Sequence, residues 1–280
     1  MKRFSVIIPA HNEAKLIGRC LKSLLASDPL PEGWQVVIQV VANGCTDDTV
    51  AKAHKYAAQT IARGWSLTVL DEAHGDKLNA LNIADEAARG TNRAYLDADV
   101  TLDPALLGQL VEILDSQEPR YASGQPALSQ AQSRITRAYG RFWASLPFVT
   151  SGVPGFGIFA MNASGRARWG QWPDIISDDT FARLSFAASE RMRVGSFYHW
   201  PMVEGFANLV RVRRRQDDGV KQIAAGFFQL LENDDKPKMT LPGLLSRLVR
   251  DPVGFAAYAA VSFAVKTPLF QTDKLWVRGR

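Results

Sequence analysis

Short apolar runs rich in β-branched residues alternate with amphipathic stretches through the first hundred residues. Residues 4–9 form an unbroken run, the pattern of a strand buried on both faces. From Asn12 and Glu13 onward, Leu16, Ile17, Cys20, Leu21, Leu24 and Leu25 recur at the three-to-four spacing of one helix face. The alternation continues with a strand over 35–41 and a helix over 46–62, which Thr46, Asp47 or Asp48 can cap. A strand over 66–70, a helix over 77–89, a strand over 93–96 and a helix over 103–114 follow, the last with Pro104 near its start. Four βα units in a row predict an α/β chain with a doubly wound, mostly parallel sheet covered by helices. The second half is less regular. Strands are expected over 121–127, 156–161 and 192–199, helices over 135–146 and 178–189, and a turn-rich stretch over 149–157.

In such sheets ligands bind beyond the carboxyl ends of the strands. Pro9-Ala10-His11-Asn12, Ala42-Asn43-Gly44 and Asp97-Ala98-Asp99 all fall at those ends. Asp97 and Asp99, two apart after an apolar run, would share one side of a strand. Two convergent carboxylates repel unless a cation lies between them, and hard divalent cations prefer oxygen ligands. An isolated D-x-D reads as a turn with two solvated aspartates; three polar clusters meeting at one sheet edge favour the cation.

These blocks together resemble the inverting family 2 glycosyltransferases, whose nucleotide-sugar-binding architecture is called GT-A. The blocks are Ser5 to Glu13, Val40 to Asp47, Gly75 to Asn82, Tyr95 to Asp99, and Ser177-Asp178-Asp179-Thr180, in order over roughly residues 4–216. The resemblance implies a GT-A domain over 1–216 that transfers a single sugar from a nucleotide-sugar, UDP-linked by family preference, to an acceptor hydroxyl. It implies donor contacts from Pro9, Ala10, His11, Glu13, Asn43, Lys77, Asp97 and Asp99. Mg²⁺ or Mn²⁺ would sit on Asp97 and Asp99, with Asp179 as general base. Gly155, Trp172 and Asp178 would border the acceptor, and Arg213 and Arg215 the diphosphate. Each residue also has a plain structural reading. Glu13 suits a helix first turn, Asn43 a turn before Gly44, and Lys77 a solvated first turn. Asp178 and Asp179 could cap a helix, Trp169 and Trp172 could pack in the core, and the arginines could face solvent. Three departures stand out. Ala42 replaces a frequent aspartate, Asp178 replaces a glutamate, and Arg211 to Gln216 keeps only the arginine part of the Q-x-x-R-W signature of processive relatives. Transfer of one sugar per encounter is therefore expected rather than polymer synthesis. A nucleotidyltransferase would want a Gly-rich basic loop after the first strand, which Pro9 to Glu13 is not. A non-catalytic, membrane-associated scaffold keeping the fold is the remaining alternative.

Composition adds a location. With two cysteines, Cys20 and Cys45, and no signal-peptide pattern, a reducing, cytoplasmic setting is expected. Net charge is +5, and residues 236–280 carry eight basic residues against two acids. Within this segment, Leu241, Leu244, Leu245, Leu248 and Val249 mark one helix face, and 253–265 is an uncharged run too short to span a bilayer. Residues 217–280 are thus expected to form a basic helical extension. It would either lie on the inner face of the cell membrane or pack on the protein as a helical hairpin. The acceptor would be a saccharide or lipid-linked saccharide of bacterial surface polysaccharide assembly. Nucleic acid is not an expected partner.

Overall fold

The computed structural model describes residues 1–237, 239–268 and 270. The basic residues Lys238, Lys274, Arg278 and Arg280 of the C-terminal stretch lie outside them. In chain order the elements are β1 (Lys2–Ala10), α1 (Ile17–Leu25), β2 (Trp34–Asn43), α2 (Thr49–His54), α3 (Ala57–Ala62), β3 (Ser66–Glu72), α4 (Lys77–Ala87), β4 (Asn92–Leu96), β5 (Thr101–Leu102), α5 (Leu106–Ile113) and β6 (Tyr121–Leu128). There follow α6 (Arg134–Ala144), α7 (Pro147–Thr150), β7 (Ile158–Met161), α8 (Ala163–Arg166), α9 (Asp178–Leu184), β8 (Arg191–Trp200), α10 (Phe206–Gly226), α11 (Leu241–Arg250) and α12 (Pro252–Val265).

The chain divides into two compact units. The first comprises Met1–Ala127, Gly155–Asp174 and Asp178–Trp200. Its sheet has eight strands in the order β3-β2-β1-β4-β7-β6-β8-β5. β1 runs parallel to both β2 and β4, and β2 runs parallel to β3. The parallel half therefore comes from the βα repeats of the first hundred residues. β7 then pairs antiparallel with β4 and β6, and β5 antiparallel with β8. Phe4, Val6, Ile7 and Ile8 are completely buried, as a central strand with helices on both faces requires. Leu21 and Leu24 of α1 and Leu106, Leu107 and Leu110 of α5 belong to the same apolar core. The register sets Pro9 beside Val41 and Ala10 beside Ala42, so the first two strands end together at one edge.

Three helical expectations change in this unit, one of them the helix expected over 178–189, which ends at Leu184. The helix expected from Asn12 begins at Ile17, because Asn12 takes a left-handed φ of 53° that no helix continues. The helix expected over 46–62 is two helices, α2 and α3, parted at Lys55 and Tyr56. There Tyr56 turns inward to pack on the core, and its hydroxyl lies 3.1 Å from where Gly18 would carry a Cβ.

The second unit comprises Leu128–Pro154, Ile175–Ser177 and the described residues from Pro201 onward. It is helical. α12 packs on α6 and α10 through Gly254, Ala257, Val261 and Ala264. Gly254 is so close to α6 that an added Cβ would stand 2.9 Å from the Ala138 carbonyl. The uncharged run over 253–265 falls in α12, whose small-residue stripe packs on α6 and α10. α11 differs: none of its ten residues is buried.

Candidate functional site at the sheet edge

The loops leaving β1 and β2 are tied together by their own polar side chains. Asn43 Nδ2 donates to the Ala10 carbonyl at 3.0 Å and to the Val41 carbonyl at 3.4 Å. His11 Nδ1 lies 2.5 Å from the Asn43 carbonyl. A carbonyl can only accept, so Nδ1 is the donor in this contact. Asn12 Oδ1 accepts from Thr46 N at 2.6 Å, and Asn12 N reaches Cys45 Sγ at 3.2 Å. Gly44 has φ 58°, and a Cβ there would fall 2.7 Å from the backbone of Gly75. Only glycine lets the second and third loops approach this closely.

Asp97 and Asp99 occupy a turn directly after β4, closed by Val100 N donating to the Asp97 carbonyl at 3.1 Å. Asp97 N donates to Gly157 O at 2.9 Å, which fixes the turn against the segment entering β7. Behind the turn is the buried thiol of Cys20. Burial raises its pKa first, and the negative charges of Asp99, Asp97 and Glu13 raise it further. The negative charge of three carboxylates, from the β1–α1 and β4–β5 loops, thus reaches one buried thiol.

Lys77 bridges this cluster to a second pair of acids. Asp76 caps α4, its Oδ1 accepting from Leu78 N at 2.9 Å and Asn79 N at 3.3 Å, and so sets Lys77 in the first turn. Lys77 Nζ lies 3.4 Å from Asp97 Oδ1 and 2.9 Å from Asp178 Oδ2. Burial disfavours the ammonium, but Asp178 and then Asp97 outweigh it and hold the lysine pKa above its ordinary range. Asp179 follows Asp178 in the first turn of α9, and its Oδ1 accepts from Thr180 N at 2.6 Å. Its carboxyl pKa is raised, first by burial and then by Asp178, with Lys77 pulling the other way. A carboxylate of raised basicity is a better proton acceptor than a solvated one.

Gly155 sits behind these acids with φ 73°, and a Cβ would land on the Tyr121 hydroxyl. Two of the expected contact residues are turned to structural work. Asn43 is buried and both its amide protons are spent on Ala10 and Val41, so it braces the strand ends instead of donating to a base edge. Trp172 is 4% exposed and packs against Tyr95, Phe159 and Trp169, which leaves no ring face for a sugar. Its Nε1 donates at 2.8 Å to Asp85. Asp85, absent from the sequence reading, also accepts from Arg93 Nη1 at 2.6 Å, Tyr95 Oη at 2.6 Å and Arg166 Nη2 at 2.8 Å, and thereby anchors β4 behind the Asp97 turn. Arg213 and Arg215 lie on α10 of the second unit, where Arg213 Nε donates to Asp217 Oδ1 at 2.8 Å. Among the described residues no three His, Cys, Asp or Glu side chains form a ready metal cage.

A half-parallel sheet with polar loops and paired acids at one edge is the fold of the GT-A glycosyltransferases. A mannosyltransferase from Pyrobaculum calidifontis (PcManGT), solved with GDP-Man and Mn²⁺, matches at TM-score 0.58 and 22% identity over 95% of this chain and 77% of that one. S. aureus TarS 1-349 with UDP-GlcNAc matches at TM-score 0.51 and 18% identity over 95% and 82%. The chain belongs to glycosyl transferase family 2, whose family model matches residues 5–188. The 4,4'-diaponeurosporenoate glycosyltransferase of Staphylococcus aureus strain MRSA252 is 32% identical over 172 residues, 59% of this chain and 40% of that protein. Glycosyltransferase AglD of Haloferax volcanii is 32% identical over 127 residues, 43% of this chain and 19% of that protein. The chain therefore spans well under half the length of both curated relatives.

Proposed function

We propose that the protein transfers a single sugar from a nucleotide-sugar, UDP-linked, to a hydroxyl of a lipid-linked saccharide, with inversion at the anomeric carbon. The observation that carries this is the bridge made by Lys77 between Asp97 and Asp178. It joins the end of β4 to the start of α9, eighty residues away, as a diphosphate site facing a general base requires.

Pro9, Ala10, His11 and Glu13 line the donor's nucleoside end, and Lys77 meets the diphosphate. Asp97 and Asp99 offer hard oxygen donors suited to Mg²⁺ or Mn²⁺. The ammonium already held against Asp97 supports that fit, since this carboxylate is set to face positive charge. With no complete cage among the described residues, the diphosphate would supply the remaining ligands. When bound, the ion would neutralise charge on the departing diphosphate, an effect worth several kcal/mol. Asp179 Oδ2 takes the proton of the acceptor hydroxyl as that oxygen attacks the anomeric carbon from the face opposite the diphosphate. Asp178 and the Gly155 turn position the acceptor, and Asp178 holds Lys77 in place. Arg213 and Arg215 are proposed to contact the diphosphate, which Arg215→Ala tests through donor KM.

The test is release of nucleoside diphosphate from a panel of UDP- and GDP-sugars with Mn²⁺, with chelator, and with Asp99→Ala or Asp179→Asn. Chelator-sensitive turnover of a UDP-sugar that both variants abolish is expected. NMR of the product's anomeric proton should show inversion. Turnover unaffected by chelator or by Asp99→Ala refutes the metal role, and retention refutes the base.

A further inference from the structure

We propose that α11 docks the protein on an anionic lipid bilayer, its leucine stripe entering the headgroup boundary while an arginine-lined cavity beside the helix takes lipid phosphates. The docking rests on the proposed lipid-linked acceptor for its purpose but on none of the donor-site residues for its geometry.

α11 is amphipathic, and while Leu244 and Leu248 are partly covered, the rest of its apolar face is open to water. Leu241, Leu245 and Val249, spaced at four residues along one face, are 69%, 52% and 80% exposed. Val253, at the start of α12, continues the exposed series at 64%. An apolar stripe on a surface helix is ordinarily its buried face; left in water, it marks an interaction surface. The helix is ten residues long. No helix among the described residues is long and apolar enough to cross a membrane, so an in-plane position is the one open to it.

Charge identifies the occupant. On the side of α11 that faces α6, a cavity of about 280 Å³ is lined by Arg141, Arg247, Arg250, Ser145, Ser246 and Asp251. Arg247 is held at its wall, Nε donating to the Ser145 carbonyl at 2.9 Å and Nη1 to the Gly243 carbonyl at 3.1 Å. Arg250 is exposed and pairs with no acid among the described residues. The one carboxylate present, Asp251, is committed to capping α12: its Oδ1 accepts from Gly254 N at 2.8 Å and meets Arg141 Nη2 at 3.3 Å. That cap, with Arg141 adding to it, holds the Asp251 carboxyl below the usual range. Arg134, Arg137 and Arg141 recur along the exposed side of α6. Residues 128–154 and 239–268 together hold six basic side chains and one acid. A second copy docking through the same face would set these arginines against themselves. Lipid phosphates complement them, with each basic residue near an anionic surface adding roughly a fivefold factor to binding.

The experiment is flotation of the full chain with vesicles of phosphatidylcholine alone and with added phosphatidylglycerol. Binding to the phosphatidylglycerol vesicles only, weakened by salt, is expected. Leu245→Glu, and Arg141→Glu with Arg250→Glu, should each lower partitioning about tenfold or more. Leu245 and Arg250 are exposed and should be silent in stability, whereas Arg141 pairs with the Asp251 cap; a melting curve on each variant, and Arg250→Glu alone, separates lost docking from lost stability. Equal binding to neutral vesicles, variants that partition like the wild type, or no binding at all overturns the proposal. So does a wild-type dimer that Leu245→Glu splits on gel filtration, which would assign the stripe to a second copy. A thermal shift with UDP and Mn²⁺ on the same samples reports the donor site separately, so either result can fail alone.

Discussion

Replacing Lys77 by Met removes an ammonium and keeps an unbranched stem, which makes it the sharpest probe of the acidic cleft. The side chains of Lys77 and Asp178 are 21% and 9% exposed, and Asp97 is 39% exposed. Breaking a fully buried pair costs about 3–5 kcal/mol. Solvent screening at Asp97 and the exposed fifth of Lys77 reduce this to about 2 kcal/mol. For a chain of this size that lowers Tm by about 4–8 °C. The loss should depend on pH in a defined direction. Lys77 has a raised pKa in the fold, so its contribution is complete below the unfolded lysine value of about 10.4 and is lost as pH rises through the folded value. Asp179 is also raised, and without Lys77 it rises further, which favours its protonated form in the fold. The variant's deficit is therefore largest above the folded Asp179 value and shrinks as pH falls through it. The acidic limb of the rate profile should move to higher pH for the same reason. Mn²⁺ alone should stabilise Lys77→Met more than the wild type, because the carboxylates then take their cation from solution. UDP without metal should stabilise it less. Differential scanning fluorimetry across pH, with and without Mn²⁺ and UDP, reads all of these. A variant that melts with the wild type, or gains no extra stability from Mn²⁺, refutes the idea that Lys77 neutralises this cluster.

Asp179→Asn should lower kcat by about 10²–10⁴-fold and leave donor KM nearly unchanged, measured by steady-state kinetics on the best donor. Asp85→Asn leaves two buried guanidiniums short of an anion and should cost about 3–5 kcal/mol, read by denaturant unfolding. Gly155→Ala forces a left-handed alanine onto the Tyr121 hydroxyl and should cost about 3 kcal/mol. Tyr121→Phe alone should be neutral or stabilising, because that buried hydroxyl has no hydrogen-bond partner among the described residues, and it should return part of the Gly155→Ala loss in a double-mutant cycle.

What the sequence revealed and what it hid follow from the range of the forces involved. The parallel strands were legible because a strand buried on both faces is apolar at every position, and that pattern is local. Lys77, Asp97 and Asp178 were named beforehand, but the bridge between them was not, because it spans 101 residues and depends on how α4 and α9 meet the sheet edge. For Trp172 the resemblance implied an acceptor contact and the plain reading was core packing; the choice between them rests on Asp85, 87 residues earlier, which takes the ring nitrogen's hydrogen bond. α10 escaped notice because only Leu209, Val210, Gly219 and Ile223 of its 21 residues are buried, too few to mark an apolar face. Its start is set by Gly205 at φ 84°, a backbone signal invisible in hydropathy. α11 and α12 give the opposite lesson. Both carry a run of apolar residues, yet α12 packs on α6 and α10 through Gly254, Ala257 and Ala264, while Leu241, Leu245 and Val249 of α11 stay exposed. Small residues spaced along α12 permit close helix packing, and α11, which has no such stripe, keeps its apolar face for a partner.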